Sequence, residues 1–404
     1  MGESWKRSFR AVLVAELLAV AGFYTSIPIL PFYLQDLGVA DPTALKLWVG
    51  ACSAIVAVAL AVFAPIWGRL ADSYSKRTML IRAMLGGAVV IGLMGVATRP
   101  WQLFVLRGLQ GALTGTVAAA TILVANITPR ERMGETLGLL QTGVYVGTSL
   151  GPAMGGIISD LFGHRVTFFV TAGLLLAAAI IVMRFVGEEK VPRPPAGQFW
   201  KHIVPDFSPL AQSRSLMVIL LVSGLVQVAT SVVSPILPLF IQTLTPKASM
   251  VATMTGLILG LSALAAALAA AGMGRASARI GYERTLAVCL WGGFLLFVPQ
   301  AFVRTPVQLL VLRVVGGAFL GGTAPAINAL IAVRADRNRQ GTIYGLSSSI
   351  SNTGAAFGPM IGASVAAAFG YAFAFFAAAA ILLVTAIGSR ALSGNPRNAD
   401  TQGV

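Results

Sequence analysis

PILPFYLQ at residues 28–35 returns as PILPLFIQ at residues 235–242, each time near the end of a long apolar run. The offset of 207 is kept elsewhere, give or take one residue. LFVLRGLQG (103–111) parallels LLVLRVVGG (309–317), and GTSLGPAMGG (147–156) parallels GAAFGPMIGA (354–363). Three segments in one register make the second half of the chain a copy of the first. Self-similarity at a fixed period sets the architecture into which every local motif must fit. A period of about 200 is too long for a solenoid unit and suits two duplicated membrane bundles.

Composition agrees with that reading. The chain is 56% hydrophobic and 11% charged with a mean hydropathy of +0.82, whereas a soluble domain carries roughly 25% charge. Twelve apolar stretches approach spanning length: 11–34, 47–67, 79–97, 102–124, 137–159, 166–186, 215–241, 250–273, 286–303, 307–332, 342–368 and 370–389. They are too long and too uniformly apolar for barrel strands, and lipid cannot satisfy the backbone of an open strand, so helix is the form left to them. The expected fold is all-α and integral to the membrane, with twelve transmembrane helices in two pseudo-symmetric six-helix bundles. Residues 1–187 and 215–404 form the bundles, and a Pro-rich, charged linker at 188–214 joins them, with a short surface helix expected near 199–204. The first span resembles a cleavable signal in outline, but Glu16 interrupts its apolar core and its proline motif recurs mid-chain, so it is expected to be retained.

Lysine and arginine alternate strongly between loops. The two termini and the loops after spans 2, 4, 6, 8 and 10, with Arg82 and Arg184 at the adjoining span ends, carry 22 of the 29 cations; the opposite loops carry five, and Arg107 and Arg313 lie deeper inside spans. The positive-inside rule then places both termini in the cytoplasm of a multi-pass protein of the cytoplasmic (inner) membrane. The same asymmetry, with attraction to anionic membrane lipids, accounts for a net charge of +15 without a nucleic-acid footprint, which needs basic residues clustered on one soluble face. Cys52 and Cys289 fall in apolar spans, and His164 and His202 are far apart, so neither a disulfide framework nor a metal site is expected. No Gly-Lys pair exists to build an ATP-binding loop, and no His, Asp and Glu cluster marks a membrane enzyme. The expectation is a protein that is no enzyme and needs no cofactor.

Four constellations carry chemistry. The loop after span 2 reads Gly68-Arg69-Leu70-Ala71-Asp72-Ser73-Tyr74-Ser75-Lys76-Arg77, one carboxylate among three cations at a helix border, suited to ion pairs and to capping a helix end. Span 4 buries Arg107, three residues before Gln110. A charge at that depth costs roughly 2.5–3.5 kcal/mol on insertion scales, so either a partner or wet cavity receives it or it snorkels to the interface. Span 5 holds Gly147, Gly151, Pro152, Gly155 and Gly156, whose spacing allows close helix approach and whose proline bends the axis. Glu16 is the acid placed inside a span away from its ends. A carboxylate withdrawn from water exchanges protons nearer neutral pH, as proton coupling requires, although close to the interface it could also snorkel.

These motifs resemble the major facilitator superfamily over the whole chain. The 68–77 loop is similar to its G-x-L-a-D-r-x-G-R-K signature, with Ser73 and Ser75 in place of the usual basic residue and glycine. The resemblance implies a cytoplasmic conformational latch formed by Gly68, Arg69, Asp72, Lys76 and Arg77, one-sided because the copy at 274–279 has no Asp. It further implies a proton-coupling role for Arg107 beside Glu16. The 147–156 string resembles the mark of the superfamily's drug and proton antiporters, although the near-copy at 354–363 assigns part of it to packing. The resemblance therefore implies a proton-coupled efflux transporter for amphipathic drugs or other small organic molecules, of the kind that confers antibiotic resistance. An exporter or importer of sugars, siderophores or lipids on the same scaffold is the alternative. Protons, a small-molecule substrate and membrane lipids are its expected partners, and a monomer its expected state. Tyr24, Gln141, Tyr145, Gln227, Asn328 and Asn352, polar or aromatic groups inside apolar spans, are candidates for the substrate cavity.

Overall fold

A computed structural model describes residues 4–73, 75–129, 132–187, 214–245, 250–335 and 340–392. Among them every regular element is helical. The sixteen α-helices are α1 (Ser4–Thr25), α2 (Leu30–Asp36), α3 (Pro42–Ser73), α4 (Lys76–Gly95), α5 (Pro100–Leu113), α6 (Thr116–Ile127), α7 (Met133–Phe162), α8 (His164–Phe185), α9 (Arg214–Val233), α10 (Leu237–Leu244), α11 (Val251–Ile280), α12 (Tyr282–Gln300), α13 (Pro306–Gly321), α14 (Thr323–Arg334), α15 (Gln340–Phe369) and α16 (Tyr371–Ser389). Helix is what lipid demands, because each backbone N–H and C=O finds its partner within the segment.

Sixteen helices make twelve spans, because four spans are broken in two. Nine described segments are long and apolar enough to cross a bilayer, the broken pairs of the fourth, seventh and tenth spans counted together and the first span counted on α1 alone. Helices α7, α12 and α15, of 30, 19 and 30 residues, complete the twelve.

The breaks repeat with the sequence. Pro28 and Pro235 lack the N–H that would continue α1 and α9, so the chain turns and restarts as α2 and α10, each with a proline in its first turn. The octapeptide is therefore an elbow, and the span expected at 11–34 is two helices. Its Tyr33 is fully buried and donates to the carbonyls of Met94 (2.7 Å) and Ala97 (3.2 Å). At this helix end Met94 O also takes the Ala97 N–H and Ala97 O also takes Arg165 Nη2, so Tyr33 is a further buried donor that ties the elbow to the end of α4. The copy has Phe240 there and makes no such bond. The two repeat-related glutamines meet directly, Gln35 Nε2 donating to Gln242 Oε1 at 3.3 Å.

The fourth and tenth spans break as well. Helix α5 ends at Leu113, Gly115 takes φ +115°, and α6 starts at Thr116. Only glycine adopts that backbone without strain. In the copy, Gly322 joins α13 to α14 with an ordinary negative φ of −76°.

Packing divides the described residues into two compact units. The first comprises those within 1–203 and 235–264, hence α1–α8, α10 and the first half of α11. The second comprises those within 204–234 and 265–404, hence α9, the rest of α11 and α12–α16. The linker expected at 188–214 lies outside the described residues apart from Arg214, as does the surface helix expected within it.

Candidate functional site

Glu16 stands on α1 with 1% of its surface exposed. The Thr116 hydroxyl donates to its Oε1 at 2.9 Å, while Oε2 has no partner among the described residues. Thr116 is the first residue of α6, directly after the Gly115 break. The carboxylate therefore sits against the start of a half-helix, whose N-terminus favours negative charge. No cation pairs with it among the described residues, and Arg10, about one and a half turns away, is exposed. The snorkelling alternative does not describe this carboxylate: it is enclosed, with one hydroxyl as its only hydrogen-bond partner among the described residues.

Arg107 on α5 is 6% exposed. Its Nη1 donates to Gln110 Oε1 at 3.2 Å within the same helix, and its Nε is without a partner among the described residues. Neighbouring glycines let α5 lie close to α3: a side-chain carbon on Gly111 would meet Ala59 at 3.0 Å. No hydrogen bond or ion pair links Arg107 to Glu16 among the described residues, so these are two separate polar sites in one apolar bundle. The counterpart arginine, Arg313 on α13, is half-buried, with its guanidinium 5.7 Å from the centre of the Phe297 ring.

The duplication is broken where it matters chemically. Ser223 occupies the position that corresponds to Glu16, and its hydroxyl pairs with Ser351 at 2.8 Å and Ser347 at 3.3 Å on α15. A carboxylate held by one hydroxyl in the first unit is replaced by a neutral hydroxyl cluster in the second.

The glycines of the 147–156 string face two different helices. Carbons added at Gly147 and Gly151 would reach the α1 backbone, 3.0 Å from Ala21 N and 2.5 Å from Ala21 O, and one at Gly155 would overlap Thr25. The copy packs alike on α9: Gly354 would meet Gly224 O at 2.7 Å, Gly358 would meet Ser231 at 2.5 Å, and Gly362 would overlap Val232. These three positions are a packing device common to both repeats. Gly156 differs. It abuts Ala252 and Thr253 on α11, and Gly256 and Gly260 of α11 abut the backbones of Pro152 and Ser149 in return. The copy has Ala363 at that place. Beside this crossing, Asp160 accepts the N–H of Thr253 at 2.7 Å, and the Ser149 hydroxyl donates to Gly260 O at 2.8 Å. An acid of α7 thus caps the first turn of α11.

Of the expected cavity residues, Tyr24 on α1 and Tyr145 on α7 are 38% and 37% exposed, and Gln141 lies exposed one turn from Tyr145. The first unit thus brings these three onto the α1–α7 pair. In the second unit Gln227 on α9 and Asn352 on α15 are half-buried, Gln227 directing its Nε2 to Ser231 Oγ at 3.4 Å, while Asn328 is exposed on α14. Of the expected latch, the side chains of Gly68, Arg69 and Asp72 lie outside the described residues. Arg77 donates to the Met183 carbonyl at 2.6 Å, in the last turn of α8, where a cation suits the helix dipole.

Several polar contacts escaped sequence reading. Thr116 lies 100 residues from Glu16, with only the glycine between two threonines to hint at a break. Asp160, two residues from the end of α7, carries no motif that singles it out in the sequence. Arg82 lies over the Trp67 ring, 3.4 Å from its centre, a cation–π contact that pattern alone cannot reveal. At the same end of α7 as Asp160, His164 pairs with Ser159 Oγ at 2.8 Å and lies 3.9 Å from Asp36.

Twelve spans in a duplicated chain, four of them broken in two, enclosing a carboxylate and an arginine that form no ion pair among the described residues, define a polytopic membrane transporter. The chain belongs to the major facilitator superfamily, whose family model matches residues 12–245 and 219–403. It is 36% identical to the multidrug resistance protein MdtG of Klebsiella pneumoniae over 384 residues, 95% of this chain and 93% of that one. It is 34% identical to the protein of the same name from Salmonella arizonae, with 95% of each covered. Among solved structures it is similar to a point mutant of the nucleoside transporter NupG, with a TM-score of 0.80 at 15% identity over 95% of this chain and 99% of that one. A bacterial homologue of the lysosomal transporter Spinster, in an inward-facing and unoccupied conformation, gives 0.78 at 14% identity over 97% and 98%. At such identities the two structures speak for the fold alone.

Proposed function

We propose that this protein exports amphipathic drugs or other small organic molecules across the cytoplasmic membrane by alternating access, in exchange for protons, and performs no enzymatic step. The observation that carries the reading is Glu16, an acid buried against the broken fourth span with, among the described residues, one oxygen unpartnered and no cation paired with it. The kinship with multidrug resistance proteins supports the substrate class. In this reading Glu16 takes up the proton and Arg107 supports its movement. Tyr24, Gln141, Tyr145, Gln227, Asn328 and Asn352 line the substrate path, and Gly68, Arg69, Asp72, Lys76 and Arg77 form the cytoplasmic latch. Gly147, Gly151, Pro152, Gly155 and Gly156 are the antiporter string. Both termini are cytoplasmic, the working unit is a monomer, and anionic lipids attend the basic loops.

The driving force suffices. One proton carries about 1.4 kcal/mol per pH unit and about 2.3 kcal/mol per 100 mV. One pH unit with 100 mV therefore sustains a gradient of several hundredfold for a neutral solute. The test is drug susceptibility of an efflux-deficient host expressing the protein, across a chemically varied panel with an uncoupler. Raised resistance that the uncoupler abolishes is expected. Unchanged susceptibility to every compound, with the protein in the membrane, refutes the reading.

A further inference from the structure

We infer that Thr116 is a positioning residue for the proton site, and that the Glu16–Thr116 contact transmits the charge on Glu16 to the α6 half-helix, which pivots at Gly115. The inference rests on the coupling role proposed for Glu16 and adds the element that responds to it.

Four observations combine. The Thr116 hydroxyl reaches Glu16 Oε1 at 2.9 Å in a buried setting, across 100 residues of chain. It belongs to the first residue of α6, a helix of 12 residues packed on α1. The residue before it, Gly115, has φ +115° and open space around it, the nearest atom to an added Cβ being 4.0 Å away, so backbone conformation alone demands glycine. Lastly, among the described residues no other polar group bonds to the carboxylate. Helix α6 contains no charged residue. Those of α7 and α8, namely Glu135, Asp160, His164, Arg165 and Arg184, lie in or near the terminal turns of their helices, whereas Glu16 is in the middle of α1.

The ionised carboxylate can only accept, so it holds the Thr116 O–H and attracts the positive end of α6. A charge-assisted bond of this kind is roughly twice as strong as a neutral one. When Glu16 gains a proton, both the charge assistance and the attraction to the helix end vanish. What remains between α1 and α6 is a neutral contact beside a glycine pivot, so proton loading loosens α6, the second half of the fourth span, relative to α5. The second unit lacks this arrangement: Ser223 stands for Glu16, and Gly322 has no positive φ.

The test compares Thr116→Val, Thr116→Ser, Gly115→Ala and Glu16→Gln in proteoliposomes, reading substrate-induced proton movement across external pH and, separately, the carboxyl infrared band that Glu16→Gln removes. Thr116→Val keeps the shape and deletes the donor. It is expected to move the titration midpoint of that band, and the pH profile of transport, to higher pH by about one unit, since a hydrogen bond to a charged group is worth roughly one unit of proton affinity. Thr116→Ser should restore the wild-type midpoint. Gly115→Ala should lower the maximal rate while leaving the midpoint in place. An unmoved midpoint in Thr116→Val overturns the inference even if Glu16→Gln abolishes coupling. Intact coupling in Glu16→Gln overturns the reading beneath it as well. The infrared measurement needs folded protein and not turnover, so a transport-dead Thr116→Val still decides the point.

Discussion

Adding one methyl group at Gly156 tests the assignment of that glycine to the α7–α11 crossing. In Gly156→Ala the new Cβ would overlap the Ala252 carbonyl oxygen and lie 2.7 Å from its carbon and 2.9 Å from Thr253 Cα. Backbone atoms cannot swing aside as a side chain can, so the two helices must separate by about 1 Å to regain ordinary contact. A gap of that size forfeits up to about half of each dispersion contact along the crossing. Overpacking of this kind costs roughly 1–3 kcal/mol. The same shift draws Asp160 away from the Thr253 N–H, now at 2.7 Å, and loss of a charge-assisted cap adds about 1 kcal/mol. The packed crossing should lose roughly 2–4 kcal/mol, enough to depopulate it about 30- to 1,000-fold against any arrangement in which α7 and α11 are apart. Gly138→Ala is the control on the same helix: nothing lies within 4 Å of its Cβ, and replacing a helical glycine there should be neutral or stabilising by up to about 1 kcal/mol. Spin-label distances between the ends of α7 and α11, with thermal stability of the purified protein, make the comparison. Equal distances and equal melting temperatures in Gly156→Ala and Gly138→Ala would refute the argument that this glycine exists for the crossing.

Glu16→Gln preserves the volume of the side chain and removes its charge; substrate-induced proton movement is expected to disappear in proteoliposomes, and its persistence would move the coupling site elsewhere. Tyr33→Phe removes the hydroxyl that donates to the Met94 and Ala97 carbonyls, each of which keeps a second donor, and should cost about 1 kcal/mol in a denaturation experiment, with efflux retained. Asp160→Asn keeps an acceptor for Thr253 but loses its charge, so a loss of up to about 1 kcal/mol is expected, while Asp160→Ala should cost more and widen the spin-label distance between α7 and α11. An Asp160→Ala protein with the wild-type distance would show that the cap does not hold the crossing.

Much of the fold is legible in the order of residues, because a bilayer imposes a strong and local rule. A span must be apolar along its whole length, so twelve runs announce themselves, and a duplicated chain repeats its prolines and glycines in register. The proline motif at Pro28 and Pro235 could be placed from sequence, though not the elbow it forms nor the fact that it cuts one span into two helices. The break at Gly115 was concealed because the run around it is apolar on both sides, and lipid does not reveal whether a glycine inside it continues a helix or ends one. For the site, Glu16 and Arg107 stood out because a charge inside an apolar run has no local excuse. Their environments did not: Arg107 proved to be bonded within its own helix, and Glu16 to be held by a hydroxyl from the fourth span.

The sequence by itself determined the membrane setting, the duplication, the number of spans and the two charges that apolar surroundings make expensive. Only the tertiary structure decided which surfaces meet. Gly155 turns to α1 and its neighbour Gly156 to α11, Thr116 reaches Glu16, and Asp160 caps a helix that begins 91 residues later. The physical reason is that lipid is as apolar as a helix interface. Hydrophobic patterning, which in a soluble helix points to the core, therefore carries no direction here. Which small residue faces which neighbour is settled by close packing and by the few hydrogen bonds available, and both exist only once the helices have met.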